Sequence, residues 1–185
     1  MTSNVSKNLQ QALKLFFEAA AGGDSAAVAQ FLDKNSGGIN EKDDSGQTAL
    51  MQAATYGHKD VVALLLERGA AVNEGSVGRD TQDISAWTAL MYAAHAGHKQ
   101  VVELLLEKGA DPALTDEANY GAGDYAEAEG HDDIAVMVRE WPEIKKRRAE
   151  EQKRQEAEAE LKDFSPALKR DMPAGRPLKV PGRGR

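Results

Sequence analysis

The chain has 185 residues, 41% of them hydrophobic and only 5% aromatic, with a formal net charge of −7. That leaves room for one domain and an appendage, but too few large apolar side chains for a single large core, so small residues must carry much of the packing. With no cysteine, disulfides and thiolate metal sites are excluded, and no apolar run nears the roughly 18 residues of a membrane span. The amino terminus, MTSNVSKNLQQALKLFFEAA, shows neither a basic region before a cleavage site nor the Arg-rich character of a transit peptide, so a soluble, cytoplasmic protein is expected.

Self-similarity dominates the chain from there. The first element, LFFEAAAGGDSAAVAQFLDKNSGGIN, holds paired alanines, a glycine turn at Gly23 and an apolar face of Val28, Phe31 and Leu32. The second, GQTALMQAATYGHKDVVALLLERGAAVN from Gly46 to Asn73, returns almost letter for letter as AWTALMYAAHAGHKQVVELLLEKGADPA from Ala86 to Ala113. A fourth, NYGAGDYAEAEGHDDIAVMVREW, keeps Ala126, Gly130, His131 and Ile134 but puts Gly121 where the others have Thr and Gly123 where they have Leu. Each unit reads as a short helix that Thr48 or Thr88 can cap, a glycine stop, and a second helix whose apolar face must bury against the next unit.

This pattern resembles the ankyrin repeat, in four copies over about residues 7–140. The resemblance implies an all-α solenoid of stacked helix-turn-helix units with hairpin fingers. Its atypical first and last copies suit a stack whose ends face water. The expected domain is 7–141, with repeats at about 7–42, 43–82, 83–115 and 116–141. At one place the units depart from the family pattern: Leu50-Met51, Leu90-Met91 and Gly123-Asp124 stand where it has Leu-His. The usual histidine network between repeats is therefore expected to be missing, with methionine packing in its place.

Comparable positions fall at Asp24, His58, His98 and His131, in steps of 34, 40 and 33 against a family period of 33. Seven extra residues thus lie between the second and third repeats, in EGSVGRDTQDIS, as a lengthened finger. Such a loop borders the surface that binds partners in stacks of this kind, or is a tolerated insertion. Trp87 stands at its end, at a variable position, and packing beneath the loop is its plain structural role.

Of the four histidines, His58, His98 and His131 recur one per repeat, which spreads them along the stack instead of round one ion, so no metal site is expected. No nucleophile elbow, phosphate loop or dinucleotide fingerprint occurs, and no enzyme or cofactor is expected. The finger edge is acidic. The resemblance implies that Asp43, Asp83 and Asp116 stand where the family prefers an aspartate to stabilise the hairpin, whereas Asp44, Asp80 and Glu117 are freer. By the resemblance, partners meet the finger tips and the concave inner-helix surface. On this chain that surface comprises Asp44, Ser45, Gln47, Thr55 and Tyr56, then Asp80, Ile84, Trp87 and His95, then Glu117 and Tyr120. The expected function is a noncatalytic adaptor, monomeric outside its complex, whose protein partner offers a basic or mixed segment with an apolar anchor.

After the repeats, Trp141 is expected to close the core and Pro142 to open a new helix. From Glu143 to Lys162 seven basic and six acidic residues alternate without an apolar stripe, the mark of a solvated charged helix over 142–163. Residues 164–185 carry four of the six prolines and are expected to lack fixed structure. Their six basic residues, Lys169, Arg170, Arg176, Lys179, Arg183 and Arg185, oppose only Asp171. This basic tail on an acidic body suggests a docking element, or, as the less favoured reading, an RNA- or chromatin-associated assembly factor that chaperones a basic protein and works in the nucleus.

Overall fold

The computed structural model describes residues 2–76 and 86–170. Its helices are α1 (Thr2–Gly22), α2 (Ser25–Lys34), α3 (Ala49–Thr55), α4 (Lys59–Glu67), α5 (Ala89–His95), α6 (Lys99–Glu107), α7 (Ala122–Ala128) and α8 (Asp132–Arg170), with a 3₁₀ turn at Ser36–Gly38. They form four hairpins. The inner helices α1, α3, α5 and α7 pack in succession, while α2, α4 and α6 form the outer row. Among the described residues no strand is assigned beyond isolated bridges, and no helix is long and apolar enough to cross a membrane.

Small side chains let the inner helices approach, as the composition requires. Ala53, Ala54, Ala93, Ala94 and Ala126 are all fully buried, where a larger residue would hold neighbouring helices apart. The outer row supplies the bulk of the core: Val61, Val62 and Leu65 on α4, and Val101, Val102, Leu105 and Leu106 on α6. On α8 the inward residues are Ile134, Val138 and Trp141, one face of a helix at spacings of four and three. Trp141 thus belongs to the core.

The inner-helix starts explain how the chain manages without the family's Leu-His. Thr48 Oγ1 accepts the Met51 N–H at 3.3 Å, and the Thr48 N–H points to Met51 Sδ at 3.4 Å. Thr88 and Met91 repeat this arrangement. In the fourth unit, where Gly121 has no hydroxyl, its N–H goes to Asp124 Oδ2 at 2.9 Å. Methionine therefore does more than pack: its sulfur, a weak acceptor, sits over a buried amide that would otherwise be orphaned.

The expectation that histidine bonds between repeats are missing is corrected by a different pair of histidines. His58 Nε2 donates to the Ala21 carbonyl at 2.8 Å, and His98 Nε2 to the Thr55 carbonyl at 2.9 Å. A carbonyl can only accept, so each ring carries its proton on Nε2. The same rings lie on the glycine that ends the preceding inner helix. Gly57 has φ +76°, and a Cβ there would sit 2.7 Å from His98 Nδ1; Gly23 and His58 show the same relation, and Gly97 meets the His131 ring. Glycine is needed twice over, for the left-handed backbone and for the ring. Asparagines add a second ladder: Asn40 Oδ1 accepts the Ala71 N–H and Asn73 Oδ1 the Asp111 N–H, both at 2.9 Å.

Fingers close through single antiparallel bridges, Lys42 with Thr48, Gly75 with Thr88 and Thr115 with Gly121. The bridged residues are 6 apart in the first and third fingers and 13 in the second, so the seven-residue excess lies between Gly75 and Thr88. Ser76 is buried at the base of that finger, its N–H on the Trp87 carbonyl and its Oγ accepting the Trp87 N–H. The insertion therefore begins beyond Ser76. Asp80, Asp83 and Ile84 lie outside the described residues.

The chain divides into two compact units, Met1–Trp141 and Pro142–Arg185. No new helix opens at Pro142, contrary to expectation: α8 is continuous from Asp132 to Arg170. Proline forfeits one hydrogen bond, to the Val138 carbonyl, and this helix carries through that gap. Nor does it stop at 163, since Phe164–Arg170, read as the start of an unstructured tail, is helical. Within the second unit Arg154 pairs with Glu158 at 3.7 Å, an exposed i,i+4 contact worth a few tenths of a kcal/mol. At the other end, α1 begins at Thr2, ahead of the expected start of the first repeat at residue 7.

Candidate docking face

The first and third fingers each start with an aspartate whose carboxylate organises the turn. Asp43 Oδ1 accepts the Ser45 N–H at 2.8 Å and the Gln47 N–H at 2.9 Å, while its Oδ2 takes the Gln52 side-chain amide. Asp116 does the same two repeats later, accepting the Tyr120 N–H at 2.9 Å and the Tyr125 hydroxyl. Both bind a residue four places on and another nine places on. The structural role assigned to these two aspartates is what they perform.

Gln52, Tyr92 and Tyr125 occupy one column of the repeat, four residues after the helix-capping position. This column organises the face. Trp87, held at the base of the second finger, lies against Tyr125 of the next unit with ring centroids 4.1 Å apart, against Tyr92 at 5.2 Å and against His95 at 5.4 Å. Tyr120 adds a further ring 6.2 Å from Tyr125. Trp87 and both column tyrosines are half-buried, whereas Tyr120 is 54% exposed and His95 is exposed. A continuous aromatic surface thus spans the third and fourth repeats.

Electrostatically the rings are flanked by carboxylates. Burial tends to raise the Asp116 carboxyl, but the Tyr125 hydroxyl and the backbone N–H groups of Tyr120 and Ala118 outweigh it and hold the group below the usual range. Burial, together with Asp116, pushes the Tyr125 phenol up to about 12, so it stays a hydrogen-bond donor. Glu129 Oε1 lies 3.5 Å from His95 Nε2. Asp124 is held low by the Gly121 N–H and by Arg139, which also pairs with Glu127. Every one of these groups is fixed by a partner that locks its geometry. The Asp116 carboxylate that accepts the Tyr125 hydroxyl also accepts the Tyr120 N–H, which ties the ring to the finger.

The residues expected to meet a partner fall into distinct places. Trp87, His95 and Tyr120 come together. Gln47 joins them through its side-chain amide, which donates to the Tyr92 hydroxyl at 3.0 Å. Asp44 and Ser45 instead line an open groove of about 930 Å³ with Lys14, Phe17, Asp43 and Gln52, between α1 and the first finger. Thr55 is turned to its own helix, its hydroxyl on the Met51 carbonyl at 2.8 Å. Tyr56, 60% exposed, stacks beside His58 with centroids 6.3 Å apart, and Glu117 is exposed at the third finger. The sequence reading missed Tyr92 and Tyr125, although their shared column was there to be read. Of the tail residues, Arg176, Lys179, Arg183 and Arg185 lie outside the described residues, and the side chains of Lys169 and Arg170 are likewise undescribed.

A family model of ankyrin repeats, in three copies, matches residues 15–116. Among curated proteins, the NAD-capped RNA hydrolase NUDT12 of Homo sapiens is 40% identical over 68 residues, which is 36% of this chain and 15% of that protein. Its counterparts in Macaca fascicularis and Pongo abelii are 40% identical over 60 residues, 32% of this chain and 13% of theirs. The chain spans about a seventh of the length of the relatives it matches.

Proposed function

The chain belongs to the ankyrin-repeat family, whose repeats generally mediate protein–protein interaction and are not catalytic, and on that premise we propose that it is an adaptor holding a partner protein across its fingers and inner-helix face. The observation that carries this reading is the ring cluster of Trp87, Tyr92, Tyr120 and Tyr125. Large, rigid, half-buried aromatics on a polar surface are the usual anchors of protein interfaces, because they bury much area at little cost in side-chain entropy. Asp44, Ser45, Gln47, Tyr56, His95 and Glu117 would contribute from the surrounding fingers and helix ends, with Thr55 limited to its backbone neighbourhood. The likeness to the hydrolases covers 15% or less of those proteins, so it bears on the repeats alone.

The test is affinity capture with the full chain and with a Trp87→Ala, Tyr120→Ala double variant of unchanged helical circular dichroism, followed by direct titration of the recovered partner. Loss of two such anchors should weaken binding by at least about 30-fold. A partner bound equally by both forms would place its site elsewhere.

A further inference from the structure

The docking face carries a charge pattern that selects one kind of anchor. Between Ala86 and His98 there is no lysine, arginine or carboxylate, and between Asp111 and His131 there are six carboxylates, Asp111, Asp116, Glu117, Asp124, Glu127 and Glu129, with no lysine or arginine. The Arg139 guanidinium reaches in from α8 and pairs with Asp124 and Glu127. Asp116, beside Tyr125, and Glu129, beside His95, have hydroxyl, amide, indole and imidazole neighbours instead. The aromatic faces and the carboxylates are therefore negative together.

We propose that this face takes a single arginine side chain of the partner, its guanidinium laid on the exposed surface of Trp87 and Tyr120 and its charge met by Asp116 and Glu129. This rests on the docking reading above and adds the chemistry of the anchor. Ring quadrupoles attract cations, and a half-desolvated site strengthens that attraction. Arginine fits better than lysine because its planar fork can stack on a ring while its edge donates to two carboxylates, whereas an ammonium is a strongly hydrated point charge. A phosphate-bearing partner meets repulsion from the same carboxylates. The groove along α1 makes no comparable choice, since Lys14 and Lys42 share it with Glu18, Asp43 and Asp44.

The full chain is titrated with acetyl-Ala-Ala-Arg-Ala-Ala-amide, with the citrulline peptide as an uncharged isostere and with the lysine peptide, following the Trp87 indole N–H by NMR. The arginine peptide should give a saturable shift with Kd in the millimolar range, at least about 10-fold tighter than citrulline and several-fold tighter than lysine, and weaker at higher salt. Glu129→Gln should weaken arginine binding several-fold and leave citrulline unchanged. Equal responses to arginine and citrulline, no saturable shift up to about 20 mM peptide, or a stronger response to a thymidine oligonucleotide stacked on the rings would each overturn the proposal. If partner capture still depends on Trp87 while arginine has no advantage, the docking face stands and only the arginine anchor is lost. If capture is also indifferent to Trp87, both readings fall.

Discussion

Replacing Gly57 by alanine separates two roles that glycine plays in this stack, because Gly69 provides a matched control. Both have left-handed backbones, φ +76° and +91°, but among the described residues a Cβ at Gly69 meets nothing within 4 Å, whereas at Gly57 it lies 2.7 Å from His98 Nδ1 and 2.8 Å from Cε1. Gly69→Ala should cost only the backbone penalty, about 1–2 kcal/mol. Gly57→Ala adds displacement of the ring, about 1–3 kcal/mol of overpacking, and loss of the 2.9 Å bond to the Thr55 carbonyl, about 0.5–1.5 kcal/mol. The expected total is about 3–6 kcal/mol, a large part of the stability of a short stack. Urea unfolding followed by circular dichroism measures both. In a His98→Ala background both the obstruction and the bond are gone, so Gly57→Ala should fall to the cost seen at Gly69, a coupling of about 1.5–4.5 kcal/mol. Equal losses at the two glycines, or additive behaviour in the cycle, would show that the ring does not lock the repeats.

Leu65 and Leu105 are both fully buried, and alanine at either should cost about 2–5 kcal/mol in the same assay; losses under about 1 kcal/mol at both would mean that the outer row carries little of the core. Deleting residues 77–83 shortens the second finger by the seven extra residues yet keeps Ser76 and the Gly75–Thr88 bridge. The melting temperature should move by no more than about 2 °C while partner affinity drops, and unaltered affinity would mark the loop as a tolerated insertion. For Asp124, whose carboxyl is held low by the Gly121 N–H and Arg139, the ionised form favours folding. The stability gap between the wild type and Asp124→Asn should be full above the ordinary value of 3.8 and close as pH falls through the lowered one. A gap unchanged down to pH about 2 would rule out the charge as its source.

What the sequence made legible was whatever repeats. The steps between Asp24, His58, His98 and His131 located the insertion to within a finger, and the bridges placed the same seven residues there. The Asp43 and Asp116 roles follow from position alone. Less legible was anything that depends on which atom faces which. Thioether and carboxylate can serve the same amide, so Met51 and Asp124, which read as departures from the pattern, each accept the N–H at the start of their own inner helix. Trp87 could be placed on the face but not on Tyr125, since that contact crosses from one unit to the next and 38 residues of sequence. The continuity of α8 through Pro142 runs against local propensity, which is all that a reading of one segment can use.

The glycine–histidine contacts give the molecule a direction. The first repeat offers Gly23 to its successor but has Asp24, a cap for its own α2, where later units have histidine. The middle repeats carry both halves of the joint. The fourth contributes His131 backward, while its own Gly130, φ +77°, has nothing within 4 Å among the described residues. The stack is thus a polar polymer with a blunt beginning and an unused socket at its last inner turn. Duplicating a middle repeat should lengthen it without a new joint having to be invented, because each copy brings the ring its predecessor needs and the bare glycine its successor requires.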